Sequence, residues 1–243
     1  MRRDAEKIFV GNEYDRIRKN TVNAKGQLTD SKSVRFFDIG NKGVRIMFVG
    51  NSITLHGKLE SIGWNNEWGM AASSAENDYV HILMKNVKEY APRAAFCICQ
   101  VAAWESEYKK GKEKYPLYEK ARAFDADVII MRFVENCPGK EFDGAVFEKE
   151  MSDLLGFLNP SGRAKIIMTT GFWHHPGDSR IVGFAKKNNL PLVPLGDLGD
   201  DDKMTAKGLF EHSGVAMHPG DLGMKTIAER IFEVLRNYII NEQ

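Results

Sequence analysis

The 243-residue sequence has few cysteines, almost no net charge and no long apolar run. Cys97, Cys99 and Cys137 are too few for a disulfide framework, which favours a reducing compartment. A formal net charge of +1 excludes a global attraction for nucleic acid or an anionic membrane. No stretch approaches the length of a membrane span, and the basic first residues lack the apolar core of a signal peptide. We therefore expect a cytoplasmic protein with neither a nucleic-acid nor a membrane partner, whereas its oligomeric state stays open.

The first 43 residues differ from the rest of the chain. They are polar and broken by turn signals, with short candidate strands around Lys7–Val10 and Val34–Ile39. From Val44 onwards, compact apolar runs alternate with longer amphipathic ones, as in successive βαβ units. We therefore divide the chain into an N-terminal extension, residues 1–43, and one domain, residues 44–243.

The apolar runs of this domain predict its fold class. Five have strand character: Val44–Val49, Ala94–Val101, Asp127–Phe133, Ala164–Thr170 and Pro191–Leu195. Helical patterns lie between and after these runs. One helical segment ends near Tyr90, and the others are Tyr115–Phe124, Phe142–Leu158, Asp178–Asn188 and Met224–Ile240. Strands that are continuously apolar are expected where helices cover both faces of a sheet. The pattern predicts a flavodoxin-like three-layer α/β/α sandwich with a five-stranded parallel sheet.

Three polar residues lie where such a fold binds ligands, beyond the carboxyl ends of its strands. Ser52 follows the first strand after a glycine, Asn136 follows the third strand, and His218 precedes the last helix. A serine hydroxyl needs a base to become a nucleophile, and histidine has a suitable pKa for that role. An asparagine amide is a suitable donor to a developing oxyanion. Together these residues indicate nucleophilic chemistry.

The same segments resemble a known family. Ile46–Thr54, which reads Ile-Met-Phe-Val-Gly-Asn-Ser-Ile-Thr, resembles the Gly-Asp-Ser-Leu block of SGNH (GDSL-like) hydrolases, with Asn for Asp and Ile for Leu. Val128–Asn136 resembles the family's Gly-x-Asn block, and His218-Pro219 resembles its catalytic histidine block. Each block is short and common by itself. Their ordered placement over about residues 44 to 240 is much more specific.

The resemblance implies roles for individual residues. Ser52 would be the nucleophile and His218 its general base. The oxyanion hole would be formed by the Ser52 backbone N–H, the Asn136 side chain and a backbone N–H after the second strand. The family usually has glycine at this last position. In this sequence we assign the backbone N–H donor to Ala103.

Two departures from the family pattern affect this site. Val134 stands where the Gly of Gly-x-Asn is expected, and Val215 replaces the Asp three residues before the catalytic histidine. The partner that would orient His218 is therefore open at this point. The candidates are Glu211, Asp221, Asp197, Asp200 and a backbone carbonyl.

Aromatic and histidine residues near the strand ends are candidates for a substrate pocket. We assign Trp64, Trp104, Trp173 and His174 to it, with core packing as the alternative for the first two. A metal site at His174 and His175 is not expected, since adjacent histidines point apart and no His-x-x-x-His pair supports them. Cys137 is not expected to be a nucleophile, because it directly follows the oxyanion asparagine.

These residues together predict a serine esterase that needs no cofactor or metal. By family analogy its substrate would be a small-molecule or carbohydrate ester, with an acetyl group on a carbohydrate as the first candidate and a lipid or thioester acyl group as the second. The competing class is a non-catalytic binding protein on the same scaffold. A phosphate- or nucleotide-binding protein is a more distant alternative, because no glycine-rich phosphate loop is present.

Overall fold

The computed structural model describes residues 33–239, and the candidate strand near Lys7–Val10 lies outside them. A six-stranded sheet forms the centre of this part of the chain. Its strands are β1 Val34–Phe37, β2 Arg45–Gly50, β3 Ala95–Gln100, β4 Val128–Arg132, β5 Lys165–Thr169 and β6 Leu192–Val193. They lie in the order β1-β3-β2-β4-β5-β6, with β2 to β6 parallel.

Both faces of the sheet are buried, which explains the continuously apolar strands. Successive side chains of a strand point to opposite faces. In β2, Ile46 and Phe48 therefore belong to one core cluster, whereas Met47 and Val49 belong to another. Helices cover each face, and the predicted three-layer α/β/α sandwich is confirmed.

The helices occupy the regions predicted from the amphipathic patterns, and two shorter ones were not predicted. The α-helices are α1 Tyr79–Tyr90, α2 Ala102–Ser106, α3 Glu119–Phe124, α4 Gly144–Leu158, α5 Asp178–Lys187, α6 Ser213–Ala216 and α7 Asp221–Ile239. Aspartate side chains begin two of them, because Asp78 and Asp143 accept hydrogen bonds from first-turn backbone N–H groups. The short helices α2 and α6 flank the candidate site. In the described residues, no helix is long and apolar enough to cross a membrane.

The sheet has one more strand than predicted. Strand β1 comes from the segment assigned to the N-terminal extension, and it pairs antiparallel with β3, from Val34 opposite Cys99 to Phe37 opposite Phe96. The strand itself matches the candidate around Val34–Ile39. Its place in the sheet was not predicted, because a short half-buried strand carries no signal for its partner.

The parallel register brings three strand ends to one edge of the sheet. Gly50, the last residue of β2, pairs with Gln100 of β3 on one side and with Arg132 of β4 on the other. The segments that carry Ser52, Ala103 and Asn136 therefore leave the sheet side by side.

Candidate active site

Ser52 lies in a tight turn directly after β2. The backbone N–H of Thr54 donates to the carbonyl of Asn51 at 2.9 Å, which closes the turn. Gly50 is required there, because a Cβ atom on it would lie 1.8 Å from the Thr54 Oγ1 atom. The turn holds Ser52 at the strand end, with 5% of its surface exposed.

His218 meets Ser52 from the other end of the chain. It lies three residues before α7, and its Nε2 atom is 2.8 Å from the Ser52 Oγ atom. Its Nδ1 atom is 2.6 Å from the carbonyl oxygen of Gly214, in α6. A carbonyl only accepts hydrogen bonds, so Nδ1 carries the proton of the neutral ring and Nε2 is left to accept from the serine hydroxyl. This is the tautomer that a general base needs.

The surroundings of His218 favour its neutral form. Desolvation by burial lowers the pKa of His218 to about 3, although the hydrogen bond to Gly214 acts in the opposite direction. The half-buried Trp173 packs edge-on against the imidazole, with 5.0 Å between ring centroids. The histidine is thus available as a proton acceptor across the neutral pH range.

The carboxylates proposed as partners of His218 are engaged elsewhere or exposed. Asp221 accepts from Ser73, Asp197 pairs with Arg230, and Asp200 pairs with His174. Glu211 is exposed. Among the open candidates, the structure places the backbone carbonyl next to Nδ1.

Val215 packs where an acid was expected from the family pattern. Its side chain is fully buried in a small apolar cluster that includes Trp64 and Ala206. A carboxylate there would be desolvated, so the valine belongs to the packing of α6 and not to the polar site.

Asn136 is held by a buried glutamate that follows β3. The Asn136 Nδ2 atom donates to the Glu105 Oε2 atom at 2.9 Å. The other carboxylate oxygen of Glu105 accepts from the Val134 backbone N–H and, at 3.1 Å, from the Asn51 Nδ2 atom. Glu105 thereby links the segments that follow β2, β3 and β4.

A buried ion pair completes this polar cluster. The Arg132 Nη1 atom lies 2.8 Å from the Glu135 Oε1 atom, and the Arg132 Nη2 atom donates to the Asn51 side-chain oxygen. Asn51 also donates to the Glu135 Oε2 atom at 2.6 Å. The cluster therefore contains one guanidinium group, that of Arg132, and two carboxylates, those of Glu105 and Glu135.

The two glutamates have opposite pKa shifts. Burial and the nearby Glu135 charge raise the pKa of Glu105 to about 7, against the three hydrogen bonds that it accepts. The pKa of Glu135 is lowered although burial opposes this, because Arg132 and several hydrogen bonds stabilise its charge. Glu135 is therefore the carboxylate whose charge Arg132 stabilises, whereas the raised pKa of Glu105 lies near neutral pH.

Several solved structures with a similar fold are esterases. A two-domain esterase active on acetylated mannans, crystallised with mannopentaose, has a TM-score of 0.54 and 17% identity over 87% of this chain. A family two carbohydrate esterase from Clostridium thermocellum, in complex with cellohexaose, has a TM-score of 0.55 and 16% identity over 80% of this chain. The psychrotrophic esterase EstA from Pseudoalteromonas sp. has a TM-score of 0.50 and 11% identity over 80% of this chain. The chain shares the α/β/α fold of these esterases.

The extent of these matches differs. This chain spans 58% of the mannan esterase, 64% of the Clostridium enzyme and 97% of EstA. The sequence matches no protein-family model and no curated protein.

Within this fold, Ala103 lies at the start of α2, two residues after Val101, whose N–H donates to the Gly50 carbonyl at 2.7 Å. Its N–H belongs to the first turn of a helix, where no preceding turn supplies a carbonyl. The neighbouring Ala102 N–H donates to the Gln100 side chain at 2.9 Å. The half-buried Ala103 therefore stays a candidate oxyanion donor.

The residues assigned to a substrate pocket separate into two groups. Trp173 is half-buried against His218, and His174 is exposed, with its Nε2 atom 3.0 Å from Asp200. Trp104 and Trp64 are fully buried in two different apolar clusters, so neither presents a face to solvent. For these two tryptophans, core packing replaces the pocket assignment, because exposure depends on long-range packing that the sequence does not display.

The remaining polar residues weighed from the sequence have structural partners. His175 is bonded through Nε2 to the Cys137 carbonyl oxygen at 2.9 Å, whereas His174 faces Asp200, so the two rings diverge. Among residues 33–239, no group of three or more His, Cys, Asp or Glu residues is arranged to hold a metal ion. Burial raises the pKa of the Cys137 thiol well above its usual value, which disfavours a thiolate nucleophile.

Sequence reasoning did not assign roles to Glu105, Arg132 or Asn51. A signal was present for the first two. Arg132 is a charge inside an otherwise apolar strand, and Glu105 follows a strand end within an apolar segment. Such residues need buried partners, but their identity is not visible in the sequence.

Proposed function

We propose that this protein is a serine esterase that hydrolyses a carboxylic ester through Ser52 and His218. The observation that carries the proposal is the chain of contacts from the Ser52 Oγ atom through His218 to the Gly214 carbonyl oxygen, at 2.8 and 2.6 Å. It joins a buried hydroxyl to a neutral imidazole in the correct tautomer. This is the arrangement that activates a serine.

The reaction then follows in two steps. The Ser52 oxygen attacks the acyl carbonyl as its proton passes to the His218 Nε2 atom, and the oxyanion accepts hydrogen bonds from the Ser52 N–H, the Ala103 N–H and the Asn136 amide. The C–O bond to the alcohol breaks as His218 returns the proton to the leaving oxygen. Water, deprotonated by His218, hydrolyses the acyl-enzyme and regenerates Ser52.

An acetyl ester on a carbohydrate is the proposed substrate. One similar structure is an esterase active on acetylated mannans, and another is a carbohydrate esterase in complex with cellohexaose. In this chain, Trp173 offers an aromatic ring beside His218. An aromatic face suits a sugar ring. Release of acetate from acetylated mannan oligosaccharides, compared with hydrolysis of long-chain acyl esters and acyl thioesters, separates this substrate from the lipid and thioester alternatives.

The first prediction is that Ser52 and His218 are both essential. Ser52→Ala should abolish labelling by a fluorophosphonate probe, and Ser52→Ala and His218→Ala should each lower kcat for p-nitrophenyl acetate by roughly 10³-fold or more. Ser179→Ala is the matched control, since Ser179 is an exposed serine whose hydroxyl donates to the Pro176 carbonyl. If folded wild-type protein takes no label and its p-nitrophenyl acetate turnover survives Ser52→Ala undiminished, the protein is not a serine esterase.

A further inference from the structure

Glu105 is a buried carboxylate that the proposed reaction does not use. It lies in α2, and its side chain is completely inaccessible to solvent. Withdrawing a carboxylate from water is unfavourable unless several donors compensate it. Three hydrogen-bond donors do so here, from Asn51, Val134 and Asn136. Arg132, the cation of the cluster, is bonded to Glu135 instead.

The donors to Glu105 belong to the segments that build the candidate site. Asn51 directly precedes Ser52, and Val134 and Asn136 follow β4. Val134 has a φ of 138°, a conformation that a β-branched residue rarely adopts. Its N–H is nevertheless fixed, because it donates to Glu105. The carboxylate therefore holds the backbone and the side chain of the Asn136 segment in one conformation.

The orientation of the Asn136 amide depends on what faces it. An asparagine side chain offers a donor on one side and an acceptor on the other, and the two differ little in shape. An ionised carboxylate only accepts, so it selects the NH₂ group of Asn136. One N–H then points to Glu105, and the second is left for another acceptor.

We infer that Glu105 is the positioning residue of the oxyanion hole, which holds the Asn136 amide with its NH₂ group turned towards the Ser52 turn. The inference rests on the proposed function. Glu105 touches no substrate atom and acts through Asn136. Its burial beside Glu135 is unfavourable for folding, and a group kept in such surroundings fits a role at a functional site.

Glu105→Gln reverses this orientation without a change in shape. The oxygen of the introduced amide stays with the Val134 and Asn51 donors, so its NH₂ group faces Asn136. The Asn136 amide then turns its own oxygen towards that NH₂ group and loses the donor beside the oxyanion. At pH 8, where Glu105 is ionised, we expect kcat for p-nitrophenyl acetate to fall roughly 10²- to 10³-fold, the loss typical of one oxyanion donor. KM should change by less than about threefold, because the donor acts in the transition state.

A double-mutant cycle that combines Glu105→Gln with Asn136→Ala tests whether Glu105 acts through Asn136. Once the amide is absent, Glu105 has nothing to orient, so the double variant should have the kcat of Asn136→Ala alone. Glu105→Asp keeps a carboxylate but is one methylene shorter, and it should retain more activity than the isosteric Glu105→Gln. A purely structural role predicts the opposite order. Glu150→Gln, at a mostly buried glutamate in α4 bonded to Lys149, is the control and should keep wild-type kcat.

The outcomes separate the two proposals. If Glu105→Gln keeps wild-type kcat while Asn136→Ala is impaired, or if the two losses multiply in the double variant, the inference is wrong and the esterase stands. If wild type shows no Ser52-dependent turnover, the proposed function is wrong. The side-chain amide resonances of Asn136 then still test the contact, because Glu105→Gln should shift them if Glu105 orients the amide and leave them unchanged otherwise. The same NMR comparison with Glu105→Asp serves if Glu105→Gln does not fold.

Discussion

A main-chain carbonyl and a carboxylate give different support to a catalytic histidine. Both accept a hydrogen bond from the Nδ1–H group and thereby fix the tautomer. Only the carboxylate carries a full charge that stabilises the imidazolium. At His218 the carbonyl of Gly214 fixes the ring, and burial disfavours its protonation. In the proposed reaction the imidazolium would form only transiently, close to the negative oxyanion.

The second prediction concerns the protonation state of His218 in the free protein. With its pKa lowered to about 3, the ring should stay neutral, protonated on Nδ1, from pH 8 down to about pH 4. Long-range ¹H–¹⁵N NMR of the imidazole, assigned with His218→Gln, distinguishes the two ring nitrogens. A titration midpoint near 6.5, the ordinary value for histidine, would contradict the burial that the structure shows.

At the scale of elements, the ends of β2, β3 and β4 are joined by side chains. Asn51 donates to Glu105 and Glu135 and accepts from Arg132, so its amide uses both its donor and its acceptor. The family block that this segment resembles has aspartate at this position. Asparagine is explained here by the two glutamates, because a third carboxylate among them would repel both.

The third prediction is that Asn51→Asp, which introduces the residue of the block that this segment resembles, destabilises this protein. It replaces a donor by a charge beside two buried carboxylates, and we expect a loss of roughly 3–5 kcal/mol in the free energy of unfolding at pH 8. Chemical denaturation measures it. Asn77→Asp is the matched control, since Asn77 also donates to a carboxylate, that of Asp221 at 3.3 Å, but at the surface. It should lose no more than about 1 kcal/mol. Equal losses in the two variants would show that the buried cluster tolerates a further charge.

The elements were more predictable than the contacts between them. Each of the five apolar runs overlaps a parallel strand, because burial on both faces leaves a local signal. The short helix α2 carries no such pattern. The Glu105 contacts join residues 29 to 54 positions apart, and no local pattern indicates which polar residues will meet. Ser52 and His218, 166 residues apart, were singled out by their positions relative to the predicted elements, and a family resemblance supplied their roles.

At the scale of the whole molecule, the near-neutral net charge hides an uneven distribution. Arg132, Glu105 and Glu135 are all buried at one edge of the sheet. A carboxyl group whose pKa is higher in the folded than in the unfolded state binds more protons when folded. Its contribution to stability is therefore lost as pH rises between the two pKa values. For Glu105 this window runs from about 4.5 to about 7.

The fourth prediction is that Glu105→Gln gains stability relative to wild type as pH rises. His218 and His56, whose pKa values are lowered, change the stability of both proteins alike below pH 6.5, so the difference isolates Glu105. Between pH 5 and pH 8 the difference in unfolding free energy should move in favour of the variant by up to about 3 kcal/mol. Urea denaturation at constant ionic strength measures it. A difference that stays constant with pH would mean that Glu105 does not titrate in this window.

The contact between His218 and Gly214 also has a consequence for how this sequence tolerates mutation. Every amino acid carries a main-chain carbonyl, so no single codon change removes the acceptor of the Nδ1 proton. The contact depends on the spacing of four residues between Gly214 and His218, and an insertion or deletion there would break it. A chain can therefore carry valine instead of an acid at position 215 and still hold His218 in the tautomer that is protonated on Nδ1.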